Sequence, residues 1–141
     1  MLGKFIKNWV ISSISIIVLN YIYHVPMLGS YYQIHLAAIG HKVGEMAVPR
    51  YGELTFSLIL FALAFTVMIG MSKTKGQYIV NGILAGLATY GGFAFLSRGL
   101  FENWGTWTMW SDTFFGVVCG IIVGAILMIV NKKDLEAGTT M

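Results

Sequence analysis

The sequence has little of what soluble domains depend on, beginning with charge and cysteine. Only 11% of its 141 residues are charged, whereas soluble domains average about a quarter. The single cysteine, Cys119, excludes an intrachain disulfide and a cysteine-based zinc cluster, and we interpret it as a small packing residue. The mean hydropathy of +0.75 is too high for a soluble protein. These shortages favour an integral membrane protein with a single domain, residues 1–141.

Motifs of the common enzyme classes are also missing. The chain has no G-x-S-x-G, P-loop, H-E-x-x-H or dinucleotide-binding pattern. Only His24 lies near an apolar run, so a bis-histidine haem is not favoured. The net charge of +3 does not indicate nucleic acid, because the basic residues stand in pairs beside apolar runs. The sequence therefore predicts a non-enzymatic protein with no cofactor and no nucleic-acid partner.

Four long apolar runs dominate what is present. Each has roughly the ~20 residues that cross a ~30 Å hydrocarbon core, which predicts an all-α bundle of four transmembrane helices. No small-x-small cleavage site follows the first run, so we expect it to remain as a span, closed by His24 and Pro26. The short connection Ser72–Gly76 predicts a tight antiparallel pairing of the second and third spans. The predicted spans are about residues 5–24, 53–71, 77–97 and 112–130.

The segment between the first two spans, Tyr31–Ala47, is too polar and too short to cross a bilayer. Its apolar residues are interspersed with charged ones, which predicts an amphipathic helix lying in the membrane interface. Gly40 is placed to break this helix, and Pro49 ends it.

Four spans put both termini on the same side of the membrane. That side carries six of the nine basic residues, and an excess of lysine and arginine marks the cytoplasmic side. We therefore predict a multi-pass protein of the cell (inner) membrane with both termini cytoplasmic. The side with the termini carries Lys4, Lys7, Lys73, Lys75, Lys132 and Lys133, and the opposite side carries Lys42, Arg50 and Arg98.

Small residues recur every four positions in the last span. Residues four apart lie on one helix face, and small residues let another helix approach closely in lipid. The third span has the same spacing at Gly82 and Gly86. Two such stripes predict a close helix contact, either within the chain or between subunits. The stripe in the last span consists of Asp112, Gly116, Gly120, Gly124 and Met128.

Four polar residues in the first span, Ser12, Ser13, Ser15 and Asn20, have two open interpretations. Ser12 and Ser15 are close enough to share a helix face. Such residues form hydrogen bonds between helices or line a polar cavity.

The side opposite the termini collects all three histidines and most tyrosines and tryptophans. An aromatic belt at the interface is the ordinary explanation for the rings. The asymmetry also indicates that any functional site lies at this outer mouth. The candidate residues are His24, His35, His41, Glu45, Glu53, Arg98, Glu102 and Asp112.

These candidates leave alternatives open. His41 and Glu45 are spaced i, i+4 and are able to share a metal ion, or they hydrogen-bond to headgroups, water or backbone. Asp112 caps its helix, or Arg98 forms an ion pair with Asp112 or with Glu102. The alternative for Asp112 is a role in transport or proton relay.

Two stretches carry a resemblance to known proteins. YIYHVPMLGSYYQ and FAFLSRGLFENWGTWTMWSDTFFGVVCGIIVGAIL resemble small four-helix bacterial membrane proteins that form a family of unknown function. Those proteins have an aromatic–Pro–Leu–Gly stretch after the first helix, and an LFE-like stretch before an aromatic residue and an aspartate that open the last. The resemblance implies the four-span fold. It carries over no activity, because none is established for that family. The matching positions are Tyr23, Pro26, Leu28, Gly29, Leu100, Phe101, Glu102, Trp110 and Asp112.

Two functions follow as hypotheses. The leading one is a membrane protein that acts as a homo-oligomer, or as an accessory subunit of a larger membrane complex, through its glycine-striped helices. The alternative is a transporter or binder of a small molecule or ion, with its polar site at the outer mouth.

Overall fold

The computed structural model of the chain describes residues 2–35, 42–43, 46–47, 50–102 and 104–138. Four of its helices are long and apolar enough to cross a membrane, as a multi-pass membrane protein requires. We number them spans 1 to 4: Leu2–Met27, Tyr51–Gly70, Lys75–Leu100 and Thr106–Val130. The elements in chain order are α1 Leu2–Ile22, a π-helical turn Tyr23–Met27, α2 Gly29–His35, β1 Lys42–Val43, β2 Met46–Ala47, α3 Tyr51–Gly70, α4 Lys75–Gly86, a second π-helical turn Leu87–Gly91, α5 Gly92–Leu100, α6 Thr106–Val130 and α7 Lys132–Glu136.

Span 1 continues past the residues expected to close it. Pro26 lies inside the π-helical turn that ends at Met27. Proline lacks the N–H that an α-helix needs at this position. The Leu28 N–H donates instead to the carbonyl oxygen of Tyr23, five residues back, at 3.1 Å. The wider turn therefore accommodates the proline, and the helix ends three residues later than predicted.

Span 4 begins earlier than predicted. The helix starts at Thr106, after Gly105 in an extended conformation, so Asp112 lies in its second turn. The prediction that Asp112 caps this helix is wrong, because a capping side chain must stand at the first residue, where backbone N–H groups lack partners. The aromatic residues between Gly105 and Asp112 are helical, so the loop between spans 3 and 4 is shorter than predicted.

The segment between spans 1 and 2 is only partly helical. The helix predicted over Tyr31–Ala47 is found in its first part, as α2. Farther along, β1 and β2 form an antiparallel pair, with Lys42 opposite Ala47 and Val43 opposite Met46. The predicted break at Gly40 and end at Pro49 lie outside the described residues, and the interfacial position stays a prediction.

Spans 2 and 3 are joined by four residues, and local hydrogen bonds fix where span 3 begins. Thr74 precedes α4, and its hydroxyl accepts the Gln77 N–H at 3.3 Å. The Gln77 side chain accepts the N–H groups of Thr74 at 3.1 Å and Lys73 at 2.7 Å. This capping box satisfies N–H groups that the helix itself leaves unpaired, and α3 and α4 pack against each other as predicted.

The two glycine stripes face each other within the chain and form the most extensive helix contact, between α4 and α6. A Cβ atom added at Gly82 would overlap the backbone of Gly120, and one at Gly86 would overlap the backbone of Gly116. A Cβ atom on Gly124 would lie 2.5 Å from the carbonyl oxygen of Tyr78. We call this backbone-to-backbone contact the glycine seam. Glycine is required along it because no side chain fits between the helices.

Spans 1 and 2 pack differently, through larger side chains. Ile16, Phe65 and Ile69 are fully buried in the common core. Apolar residues on the outer faces of the spans are exposed, including Leu2, Ile6, Val10, Ile14 and Val18 along α1. Their spacing of four residues marks one continuous face, as expected where a helix contacts lipid.

Candidate functional site

A cluster of hydrogen-bonded side chains connects spans 1, 3 and 4 at one end of the helices. We call this the aromatic end, residues 20–31, 88–102 and 104–112, and the opposite end, residues 2–12, 66–81 and 128–136, the lysine end. The Tyr23 hydroxyl bonds to the hydroxyl of Ser111 and donates to its carbonyl oxygen at 2.9 Å. The Asn20 amide donates to the Tyr90 hydroxyl, and to the carbonyl oxygen of Ile16 at 2.9 Å.

A further hydrogen bond extends the cluster toward the end of span 4. The hydroxyls of Tyr31, on α2, and Thr108 are 2.8 Å apart. Thr108 and Ser111 are both on the first two turns of α6, so α2 and the π-helical turn after α1 are fastened to the same short stretch of span 4. The cluster is therefore shared among several elements and depends on their packing.

Asp112 is the ionisable residue buried beside this cluster. It follows Ser111, and only 6% of its surface is exposed. At 1.5 Å per residue it lies about 9 Å inside the start of α6. An ionisable side chain buried within a membrane span is costly and often has a functional reason.

Aromatic rings pack around the same point. The ring of Phe115 stacks on Tyr23, with centroids 4.2 Å apart and planes 9° from parallel. Tyr90 meets Phe115 edge-on at 5.2 Å, and His24 does so at 5.5 Å. These are favourable arrangements for aromatic pairs, so Phe115 holds together residues from three spans.

Both π-helical turns contribute residues to the cluster. Tyr23 and His24 lie in Tyr23–Met27, and Tyr90 lies in Leu87–Gly91. Short π-helical turns are uncommon and occur frequently at functional sites. Each widens one helical turn and thereby changes the direction in which its side chains point.

The other predicted site residues lie elsewhere. Glu53 forms an exposed ion pair with Arg50 at 3.5 Å. Glu102 is exposed, and its carbonyl oxygen accepts a hydrogen bond from Arg98 at 3.3 Å. Arg98 belongs to the last turn of α5 and not to a loop. The predicted pairing of Arg98 with the carboxylate of Asp112 or Glu102 is not found in the part of the chain described.

The histidine–acid metal site remains a prediction. His35 is the last residue of α2, and His41 and Glu45 lie outside the described residues. Within residues 2–35, 42–43, 46–47, 50–102 and 104–138, no three histidine, cysteine or acidic side chains stand close enough together to hold a metal ion.

The lysine end also buries polar groups, but in neutral pairs. The Asn131 amide donates to the Asn8 side-chain oxygen at 3.3 Å, and Thr66 donates to Ser12 at 3.2 Å. The second contact confirms the hydrogen-bonding interpretation of Ser12. Near the surface, Lys4 forms an ion pair with Asp134 at 3.0 Å.

Several residues of the cluster were not among the predicted site residues. The tyrosines were assigned to an aromatic belt, and Thr108 and Ser111 were placed in a loop. A signal was present in span 4, where Thr108, Ser111, Asp112 and Phe115 have the spacing of one helix face. That spacing becomes informative only when the helix starts at Thr106.

Comparison of the chain with protein-family models, with curated protein sequences and with solved structures gives no match. The family resemblance therefore stays a prediction from the residues, and the function must be argued from the geometry.

Proposed function

We propose that the protein is a four-helix transmembrane bundle that binds a small monovalent cation at the aromatic end, as a binder or transporter and not as an enzyme. The observation that carries this proposal is the burial of Asp112 beside the hydrogen-bonded cluster. A charged carboxylate at this depth has an insertion cost of up to about 3 kcal/mol. A cation bound next to it offsets that cost.

The surrounding chemistry suits such a ligand. Ser111, the residue before Asp112, provides a hydroxyl and a carbonyl oxygen. The Tyr23 hydroxyl, which bonds to both, provides a third oxygen atom. Oxygen donors suit hard cations, and an aromatic environment suits an ammonium group. An alkali metal ion and a small ammonium ion are both small and carry one positive charge.

The lysine bias supports an orientation with both termini cytoplasmic. The aromatic end then faces the extracytoplasmic side, as the sequence predicted for the site. Association with copies of itself or with other membrane subunits stays a hypothesis. Its original motivation is weaker, because the glycine stripes contact each other within one chain.

Native mass spectrometry of protein extracted gently from its own membrane tests the proposal. A 15.5 kDa species with a small bound mass is the expected result. Proteoliposomes then test Na⁺, K⁺ and methylammonium uptake with fluorescent indicators. We expect Asp112→Asn to lose the bound mass and to reduce binding or uptake by more than about tenfold, since it removes the charge but keeps the shape.

The matched control is Asp134→Asn, which changes an acid at the lysine end in the same way. A variant with Asp112→Asn that retains full binding and uptake would contradict the proposal. A complex with other chains, or a multiple of 15.5 kDa without a small ligand, would favour the association hypothesis.

A further inference from the structure

A groove opens on the surface at the lysine end, about 130 Å³ in volume. It lies where α4 begins and where α6 turns into α7. Its walls are apolar except for two side chains, and both of these are lysines. The lining residues are Lys75, Met128, Ile129, Lys132 and Leu135.

Buried contacts hold the groove in shape. Asn131, at the junction of α6 and α7, is almost completely buried. Its amide donates to the carbonyl oxygen of Leu127 at 2.8 Å and to Asn8 at 3.3 Å. Beyond this corner, Leu135 packs against the common core. The α7 wall is therefore fixed to the body of the protein.

The composition of the chain around the groove is that of a boundary between hydrocarbon and headgroups. Span 4 is apolar up to Val130, and the charged residues begin at Lys132. Lys75 is the first residue of α4, and Lys132 is the first of α7. An apolar floor with a cationic rim at this depth complements an acyl chain beneath a phosphate.

The nearby acids do not cancel the positive charge of the rim. Glu136 lies 3.8 Å from Lys132 in an exposed pair, which is a weak interaction in water. Asp134 is engaged by Lys4 at 3.0 Å. Two lysines with one loosely held acid leave a net positive rim.

We infer that this groove binds one anionic phospholipid, with its phosphate between Lys75 and Lys132 and an acyl chain against Met128, Ile129 and Leu135. The ligand class follows from the pairing of charge with apolar surface. The inference is independent of the cation site proposed at the opposite end.

Native mass spectrometry of the full chain in detergent tests this site by titration with phosphatidylglycerol and phosphatidylcholine that carry identical acyl chains. Phosphatidylglycerol is expected to bind more tightly. The double variant Lys75→Gln/Lys132→Gln is expected to weaken its binding by roughly twentyfold, since each lysine near an anionic headgroup contributes about fivefold.

The control Lys73→Gln/Lys133→Gln removes the same charge at the same end but outside the groove, and it is expected to change binding by less than about threefold. A second variant, Ile129→Trp, fills the groove at an exposed position and is expected to weaken binding without unfolding the protein. Millimolar inorganic phosphate is expected not to displace the lipid.

Three results would overturn the inference: equal loss in the two lysine variants, equal binding of the two lipids, or wild-type binding by Ile129→Trp. Displacement by inorganic phosphate would overturn it too, by showing a simple anion site.

Discussion

The two ends of the helices bury polar side chains in different ways. At the lysine end the buried groups are neutral amides and hydroxyls that pair across helices. At the aromatic end tyrosine hydroxyls and an amide form hydrogen bonds beside a buried acid, Asp112, and both π-helical turns contribute to them. The pairs at the lysine end are Asn8 with Asn131, Ser12 with Thr66, and Ser72 with Asn81.

The difference distinguishes polar groups that hold helices together from polar groups suited to bind a ligand. A neutral pair in lipid contributes modestly, about 0.6 kcal/mol on average, and it carries no charge. A buried carboxyl, when ionised, carries a charge that its surroundings or a ligand compensate. Under the function proposed above, the polar pairs of the lysine end align the helices, while the aromatic end binds the ligand.

The largest expected effect comes from loosening the glycine seam at one end only. Gly86→Ala, next to the π-helical turn that carries Tyr90, is expected to lower the free energy of unfolding by about 2–3 kcal/mol, because the added methyl group overlaps the Gly116 backbone. It should also weaken cation binding. Reversible unfolding in detergent mixtures, followed by circular dichroism, measures the stability.

Two other alanine variants serve as its controls. Gly92→Ala lies on the same span but has nothing within 4 Å of the new atom, so it is expected to be neutral or to stabilise by up to about 1 kcal/mol. Gly124→Ala disturbs the seam near the lysine end and should leave cation binding intact. If Gly86→Ala were as stable as Gly92→Ala, the seam would not be the close contact described here.

A smaller effect distinguishes two buried phenylalanines. Phe115→Leu removes the ring that stacks on Tyr23 and meets Tyr90 and His24. We expect a loss of about 1.5–2.5 kcal/mol in the free energy of unfolding, since the change in shape is combined with lost ring contacts. Phe65→Leu, in the core between the two ends, is expected to cost about 1 kcal/mol.

The same unfolding assay measures both variants, and cation binding provides the second comparison. Phe115→Leu should weaken binding, whereas Phe65→Leu should not. Equal effects on binding would mean that the aromatic end has no special role and that general stability determines function.

The smallest effect concerns the neutral pairs themselves. The double variant Asn8→Leu/Asn131→Leu is expected to stay within about 0.5 kcal/mol of wild type, because replacing both partners by apolar groups of similar shape is nearly neutral. At the aromatic end, Tyr90→Phe removes one hydroxyl and leaves the Asn20 amide with one partner fewer.

We expect Tyr90→Phe to cost about 0.6–1.7 kcal/mol. Unfolding measurements of both variants, at matched detergent composition, give the comparison. If the double variant were the more damaging, the lysine end would be the less tolerant of the two, contrary to our interpretation.

The sequence predicted the four apolar spans because hydrophobic length is a local property. Their ends were less predictable. Pro26 indicated a helix end but is accommodated by a π-helical turn, and the tryptophans before Asp112 indicated a loop but are helical. Both errors arise where the local residue type permits two backbone conformations and packing selects one.

The glycine stripes show a second limit. Their spacing predicted a close helix contact, and Gly82 and Gly120 make one. The spacing alone does not distinguish a partner helix in the same chain from one in another subunit, because both present the same surface. For the site, Asp112 and His24 were predicted, whereas Tyr90 joins them only because span 3 brings it there.

The glycine seam also bears on how the protein is assembled during synthesis. Its contacts join residues in two consecutive spans, from Gly86 with Gly116, 30 positions apart, to Tyr78 with Gly124, 46 positions apart. Contacts so near in sequence form rapidly, and preformed helices associate after insertion into the bilayer. Spans 3 and 4 are thus suited to fold as an independent hairpin, a template onto which spans 1 and 2 later dock. Co-expression of residues 1–72 and 73–141 as separate chains should accordingly restore the cluster at the aromatic end.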